Sequence, residues 1–312
     1  MMPRRAGMPD TGRSYHTPVL ADEIGTLADG SRRIVDATLG GGGHAAIFRS
    51  LGAEVLGIDR DPEAIQAARR RLGENGIRYL EASFFSQRAL DAIGDFRPDF
   101  ILLDLGVSSH QFDEERRGFT FRPGSPLDMR MEGTGQSAAD LLNKADQGEL
   151  RRVFAEYGDE RRAGRLAAEI LRRRATKPFR TSDDLVNAIR GALGPRTGPA
   201  DFARLFQAVR IAVNDELAGV ARALPRMRDA LVPGGRLAVI SYHSGEDRIV
   251  KHQFRDWAAG CVCPPGLPVC TCRGRPLGRL DPRRAIRPSA DEVAHNPRAR
   301  SATLRIFRTA EA

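Results

Sequence analysis

Asp36, four glycines at 40–43 and His44 fall within one stretch, IVDATLGGGGH, and between them have the chemistry to hold a small charged ligand. Successive glycines let the backbone approach a ligand closely, and the N-terminus of a following helix offers unpaired N–H groups to a carboxylate or phosphate. Asp36 and His44 flank the loop with polar groups of the kind that hold an ammonium and a carboxylate. Each also has a plainer reading: a flexible turn for the glycines, a loop cap for Asp36, an exposed helix start for His44. Asp59 lies 19 residues after Gly40, at the end of the next strand candidate, where a carboxylate accepts both hydroxyl protons of an adenosine ribose. Asp61, followed by Pro62, is better placed than Asp59 to cap the next helix. NAD and S-adenosylmethionine both carry that ribose. GGGGH lacks the GxGxxG spacing expected for a pyrophosphate, whereas an amino-acid end bearing both charges suits Asp36 and His44.

A second group of residues stands further along. Asp104 opens DLGVSS after an apolar run; it can accept from an amine, from the cofactor or from both, or cap its loop. Many amino-methyltransferases place Pro-Pro-aromatic after the corresponding residue, and this chain does not. Tyr242 and His243 follow another strand candidate, where Tyr242 can stack on a base or pack at a rim. All four cysteines, Cys261, Cys263, Cys270 and Cys272, fall in CVCPPGLPVCTC. A reducing compartment argues against disulfides, so a four-thiolate structural zinc site and a loop of unligated thiols stay open as alternatives.

Strands alternating with helices must position these groups. Strand patterns cover Arg33–Thr38, Glu54–Ile58, Ile77–Leu80, Phe100–Leu105, Arg236–Ser241 and Thr303–Phe307, and FILLDL is too apolar for a one-sided sheet. The alternation predicts a parallel doubly wound sheet. From about Gln111 to Pro233 the patterns are almost all helical, at 159–174, 182–193 and a long stretch from Asp201 to Leu231. The reading is an α/β, Rossmann-like sheet built from 14–110 and 232–312 that resembles a class I methyltransferase sheet, with an inserted helical substrate-recognition domain at 111–231 and a flexible lead-in at 1–13. The turn LVPGGRL at 231–237 resembles its counterpart in many class I methyltransferases and weighs against a dehydrogenase.

At 312 residues and 41% hydrophobic, the chain can bury one large core or two. Forty-nine Lys and Arg against 40 Asp and Glu attract an acidic partner, and the preponderance of Arg favours nucleic acid. Arg161, Arg162, Arg165, Arg172, Arg173 and Arg174 crowd one helical segment, as phosphate contacts or as a solvated face. No apolar run approaches the length of a membrane span and the N-terminus has no secretory pattern, so the expectation is a cytoplasmic protein without membrane partners.

Taken together, YHTPVLADE, DATLGGGGH, GIDRDP, LLDLGVSS, RGFTFRPGSPLDMRM, FQAVRIAVNDEL, PGGRLAVISYHS, EDRIVK and NPRARSATLRI resemble the MraW family, also called RsmH, of bacterial ribosomal RNA cytosine-N4 methyltransferases, from Tyr15 to about Ile306. The resemblance implies methylation by S-adenosyl-L-methionine of an exocyclic cytosine N4 in the decoding region of small-subunit (16S) rRNA, with rRNA or the small ribosomal subunit as partner. It implies cofactor contacts from Gly42, Gly43, His44, Asp59, Phe84, Asp104 and Gln111, Phe84 being preferred to Phe85. Two positions depart from the family: Gly245 in HSGEDR, where Leu is common, and Ala45 where Ser is frequent. A small-molecule methyltransferase and a non-catalytic RNA-binding factor are the rival readings. The catalytic base and the choice between monomer and homodimer are left open.

Overall fold

The computed structural model describes residues 18–106, 114–263, 269 and 271–311. Seven strands, β1 (Arg33–Asp36), β2 (Glu54–Asp59), β3 (Ile77–Glu81), β4 (Phe100–Asp104), β5 (Arg236–Ser241), β6 (Gly278–Leu280) and β7 (Thr303–Thr309), form one sheet in the order β3-β2-β1-β4-β5-β7-β6. The pairs β1–β2, β2–β3, β1–β4 and β4–β5 are parallel, and β7 runs antiparallel to both β5 and β6. The order reverses between β1 and β4, which opens a crevice at their carboxyl ends.

Alternate residues of the central strands feed two cores. Ile101, Leu103, Leu237 and Val239 enter one, and Phe100, Leu102, Ala238 and Ile240 the other. Burial on both faces is why these strands read as unbroken apolar runs. Helices α1 (Ala21–Ala28), α2 (Gly43–Ser50) and α3 (Pro62–Leu72) cover the second core, and α4 (Gln87–Phe96) covers the first. Asp61 caps α3 by accepting from the Glu63 N–H, with Pro62 at the first helical position, as its sequence predicts.

The chain between β4 and β5 contributes α5 (Ala138–Lys144), α6 (Gln147–Arg152), α7 (Ala163–Arg174), α8 (Ser182–Leu193), α9 (Pro199–Val213) and α10 (Glu216–Ala230). Phe119 to Val209 share a third core of their own, which includes Phe154, Leu166, Phe179 and Ile189. The expected long helical stretch at 201–231 is two helices, separated where Asp215 takes a left-handed φ of 49°. Val220, Ala223, Leu224 and Met227 of α10 pack in the sheet's first core, so this helix belongs with the sheet and the insertion's core ends before Asn214. Helix α11 (Ser244–Ala258) follows β5 on the same face, and α12 (Ala290–His295) precedes β7. Among the described residues, no helix is long and apolar enough to cross a membrane.

Candidate active site

Asp36, Asp59 and Asp104 end β1, β2 and β4, so the three carboxylates stand together at the carboxyl ends of adjacent parallel strands. The glycine loop passes between them. Gly42, with φ of 75°, is the N-cap of α2, and a Cβ there would lie 2.8 Å from Leu72 Cδ1. The backbone angle therefore favours glycine, and a larger residue would also have to displace the tip of Leu72. The Gly40 N–H donates to Asp59 Oδ2 at 2.7 Å and the Asp61 N–H to Asp59 Oδ1 at 2.9 Å, which fixes the carboxylate against the loop. Each oxygen keeps a further lone pair for a ligand hydroxyl. Burial raises the Asp59 carboxyl above its ordinary range despite these two donors.

Around Asp36 the acceptors outnumber the donors. Its side chain is buried, the Thr38 N–H reaches its Oδ1 at a long 3.4 Å, and its Oδ2 has no hydrogen-bond partner among the described residues. Burial, with the charge of Asp104 adding to it, pushes the Asp36 carboxyl up to about 7. Asp104 is likewise pushed up to about 7 by burial, against the opposing hydrogen bond from the Tyr242 hydroxyl at 2.9 Å. His44 lies 2.9 Å through Nε2 from the Val19 carbonyl, which can only accept, so Nε2 carries the proton. Burial drives His44 down to about 4, which keeps the ring neutral at physiological pH. Its bare Nδ1 then faces Asp104 Oδ2 at 3.9 Å, one acceptor opposite another. Among the described residues these groups are offered no ammonium or amine donor. Their chemistry suits an adenosyl amino acid: an ammonium would meet that deficit, a carboxylate suits the N-terminus of α2 and a ribose suits Asp59.

Tyr242 and His243 are held by a cap. The Tyr242 N–H donates to Glu246 Oε2 at 2.8 Å, and the Glu246 N–H returns a bond to His243 Nδ1 at 3.4 Å at the start of α11. Burial alone would raise Glu246, but His243, the Tyr242 N–H and Arg210 outweigh it and hold the carboxyl below its ordinary range. Sequence reasoning missed Glu246, although the spacing from His243 to Glu246 is that of a capping box. The role found for Tyr242 is hydrogen bonding to Asp104.

The structure thus gathers Gly42, Gly43, His44, Asp59 and Asp104. Phe84 is buried in the sheet's first core, and its neighbour Phe85 meets it edge-on at 5.2 Å. Phe85 is half-buried between the guanidinium groups of Arg60 and Arg222, and lines a cavity of about 270 Å³ with Arg60, Arg130 and Asn214. Gln111 and Cys270 lie outside the described residues. Of the six clustered arginines, Arg172 and Arg173 pair with Glu169, Arg162 donates to the Leu193 carbonyl, and Arg174 to those of Leu142 and Ala145. Arg161, Arg162, Arg165 and Arg172 are exposed, so the run is a surface face that is partly paired within the chain. Cys261, Cys263 and Cys272 converge near the opposite, amino end of the sheet, between the C-terminus of α11 and the start of β6.

The most distinctive motifs join the two halves of the molecule. Arg117 donates to Asp61 Oδ2 and the Met131 carbonyl, both at 2.9 Å, and to Glu63 at 3.2 Å. Asn214 accepts from the Met131 N–H at 2.9 Å and donates to the Met129 carbonyl at 2.7 Å. Arg210 and Glu216 form a buried fork with two 2.9 Å bonds. A Cβ on Gly118 would collide with the Pro126 carbonyl.

A seven-stranded sheet with a reversed last strand, a glycine loop after β1 and an acid closing β2 define a class I methyltransferase, the fold that binds S-adenosylmethionine. The model of the MraW methylase family matches residues 13–310, and the chain belongs to that family. It is 56% identical to the ribosomal RNA small subunit methyltransferase H of Gemmatimonas aurantiaca, over 99% of this chain and all of that one. It is 51% identical to the protein of the same description from Rubrobacter xylanophilus, over 96% and 97% of the two chains. A solved rRNA methylase from Streptococcus thermophilus aligns over 93% of this chain and 94% of its own at a TM-score of 0.41 and 12% identity, too distant to add to this.

Proposed function

We propose that this chain transfers a methyl group from S-adenosylmethionine to the exocyclic N4 of a cytosine in the decoding region of small-subunit (16S) rRNA. The observation that carries the reading is the donor-poor edge formed by Asp36 Oδ2, His44 Nδ1 and Asp104 Oδ2 beside the glycine loop. The relatives described as small-subunit rRNA methyltransferases support the substrate. When bound, the cofactor supplies an electrophilic methyl on a sulfonium. Gly42, Gly43, His44 and Asp104 would line its amino-acid end, Asp59 would take the ribose hydroxyls, and Phe84 would lie against the adenine.

An exocyclic cytosine amine is a weak nucleophile because its lone pair is delocalised into the ring, so a base that accepts its proton as the new N–C bond forms lowers the barrier. Asp104 suits that role, since a carboxyl pushed up to about 7 holds a proton more strongly than an ordinary aspartate and still ionises near neutrality. The Tyr242 hydroxyl fixes its Oδ1 and leaves Oδ2 toward the pocket. The cavity beside Phe85, Arg60 and Arg130 has room for an unstacked base, and the helical insertion offers Arg161 and Arg165 to the phosphates. The partner is small-subunit rRNA or the small ribosomal subunit, in the cytoplasm, and a zinc on the cysteines is a loop fastener remote from this chemistry.

The test is transfer of labelled methyl from S-adenosylmethionine to small subunits from cells lacking this protein, with nucleotide mapping and an Asp59→Ala control. Label on a cytosine N4, lost in the control, is the expected result. Cofactor binding without transfer to subunits or their precursors would overturn the substrate.

A further inference from the structure

Cys261 and Cys263 follow the end of α11 and Cys272 returns beside them, so that their Sγ atoms all lie within 4.8 Å of one another. Cys261 Sγ and Cys272 Sγ are 3.8 Å apart, well beyond the roughly 2.0 Å of a disulfide bond. That separation is the edge of a thiolate tetrahedron around zinc, because Zn–S bonds of about 2.3 Å at tetrahedral angles put the sulfurs about 3.8 Å apart. The set is soft, with no carboxylate or imidazole in the cluster, which suits zinc and excludes magnesium or calcium. The surroundings support thiolates: the Val262 N–H points at Cys272 Sγ at 3.4 Å, and Arg228 and Arg273 line the same cavity of about 470 Å³ as Cys261 and Cys263.

We propose that Cys261, Cys263 and Cys272 bind a structural zinc ion. Three thiols release three protons and give three Zn–S bonds, a water from the hydrated ion keeps the fourth position, and the oxidation state does not change. The ion closes the chain between α11 and β6. Strand β6 has only three residues, pairs with β7 alone, and is anchored on the helix side by the Leu277 N–H donating to the Trp257 carbonyl at 2.8 Å. A clip closing the loop that leads into so short a strand lowers the conformational freedom that would otherwise fray it. The methyl-transfer groups stand at the carboxyl ends of the strands, so the metal acts on the fold and takes no part in the reaction.

The full-length chain, purified reduced and without a metal-affinity tag, is dialysed against metal-free buffer and analysed for zinc by mass spectrometry. One zinc per chain is expected, with loss of the metal in Cys261→Ser and Cys272→Ser while S-adenosylmethionine affinity is retained. Replacement by cobalt in the wild-type chain gives thiolate-to-metal charge-transfer absorption, a readout independent of how the variants fold. Chelation raises hydrogen exchange in 259–280 and leaves 36–59 unchanged. Sub-stoichiometric zinc in the reduced wild-type chain with no cobalt–thiolate absorption, or zinc retained by both variants, overturns the proposal.

Discussion

The pocket at the carboxyl ends of β1, β2 and β4 and the joint between sheet and insertion are built from the same residue types, yet they treat charge in opposite ways. At the joint, Arg117, Asp61, Arg210, Glu216 and Asn214 find partners inside the chain, and buried groups so matched rigidify a connection without offering anything to a ligand. At the strand ends, Asp36 Oδ2 has no donor among the described residues and Asp104 faces the bare nitrogen of a neutral histidine. A buried acid left short of donors is costly to the free protein, and the cost is relieved when a cationic or amine ligand arrives. The saturated network is architecture and the unsaturated one is a site.

The contrast can be broken from either side. Asp104→Asn, which keeps the shape and the Tyr242 contact but removes the base, should lower methyl transfer by about 100- to 10,000-fold. S-adenosylmethionine binding by calorimetry should weaken far less than transfer, and the rise of kcat/KM as pH passes through about 7 should flatten. At the joint, Arg210→Ala strands Glu216 and should cost about 3–5 kcal/mol in denaturant unfolding, while Arg210→Met with Glu216→Leu should recover most of it. Asp59→Ala, which removes two acceptors for the ribose, should weaken cofactor binding by about 100-fold or more on the scale of hydrogen bonds to charged groups.

Asp36 gives the sharpest form of the comparison. Its folded-state pKa of about 7 lies above the ordinary 3.8, so its contribution to stability is fully present below about pH 4 and is lost as pH rises through about 7. Asp36→Asn should therefore stabilise the free chain at neutral pH by at most about 4 kcal/mol while weakening cofactor binding. A variant less stable at pH 7.5 than the wild type would show that this acid is matched like those of the joint. The smallest effect is expected at Arg172, exposed and paired with Glu169, where Ala should leave the denaturant midpoint essentially unmoved.

Local pattern alone determined the strands RLAVIS and FILLDL, the helix at 182–193, the cap of Asp61 and Pro62, and the grouping of Asp36, the glycines, His44 and Asp59, because burial periodicity, φ preference and short loops act over a few residues. What the pattern missed depended on distant chain. The helical run across 201–231 breaks at Asn214 because its side chain bonds to Met129 and Met131, 85 and 83 residues away in sequence, and α10 then turns its apolar face to the sheet. Strand β6, three residues with no readable alternation, exists only because β7 pairs with it. The arginine run left phosphate contacts and a solvated face open, and four of its six members turn out to meet carboxylates and carbonyls that folding brings to them. Residue types and spacing name the groups able to do chemistry. Whether each is matched or left wanting is decided by partners that only the tertiary fold delivers, since a hydrogen bond or ion pair acts over a few ångströms and sequence separation does not measure that distance.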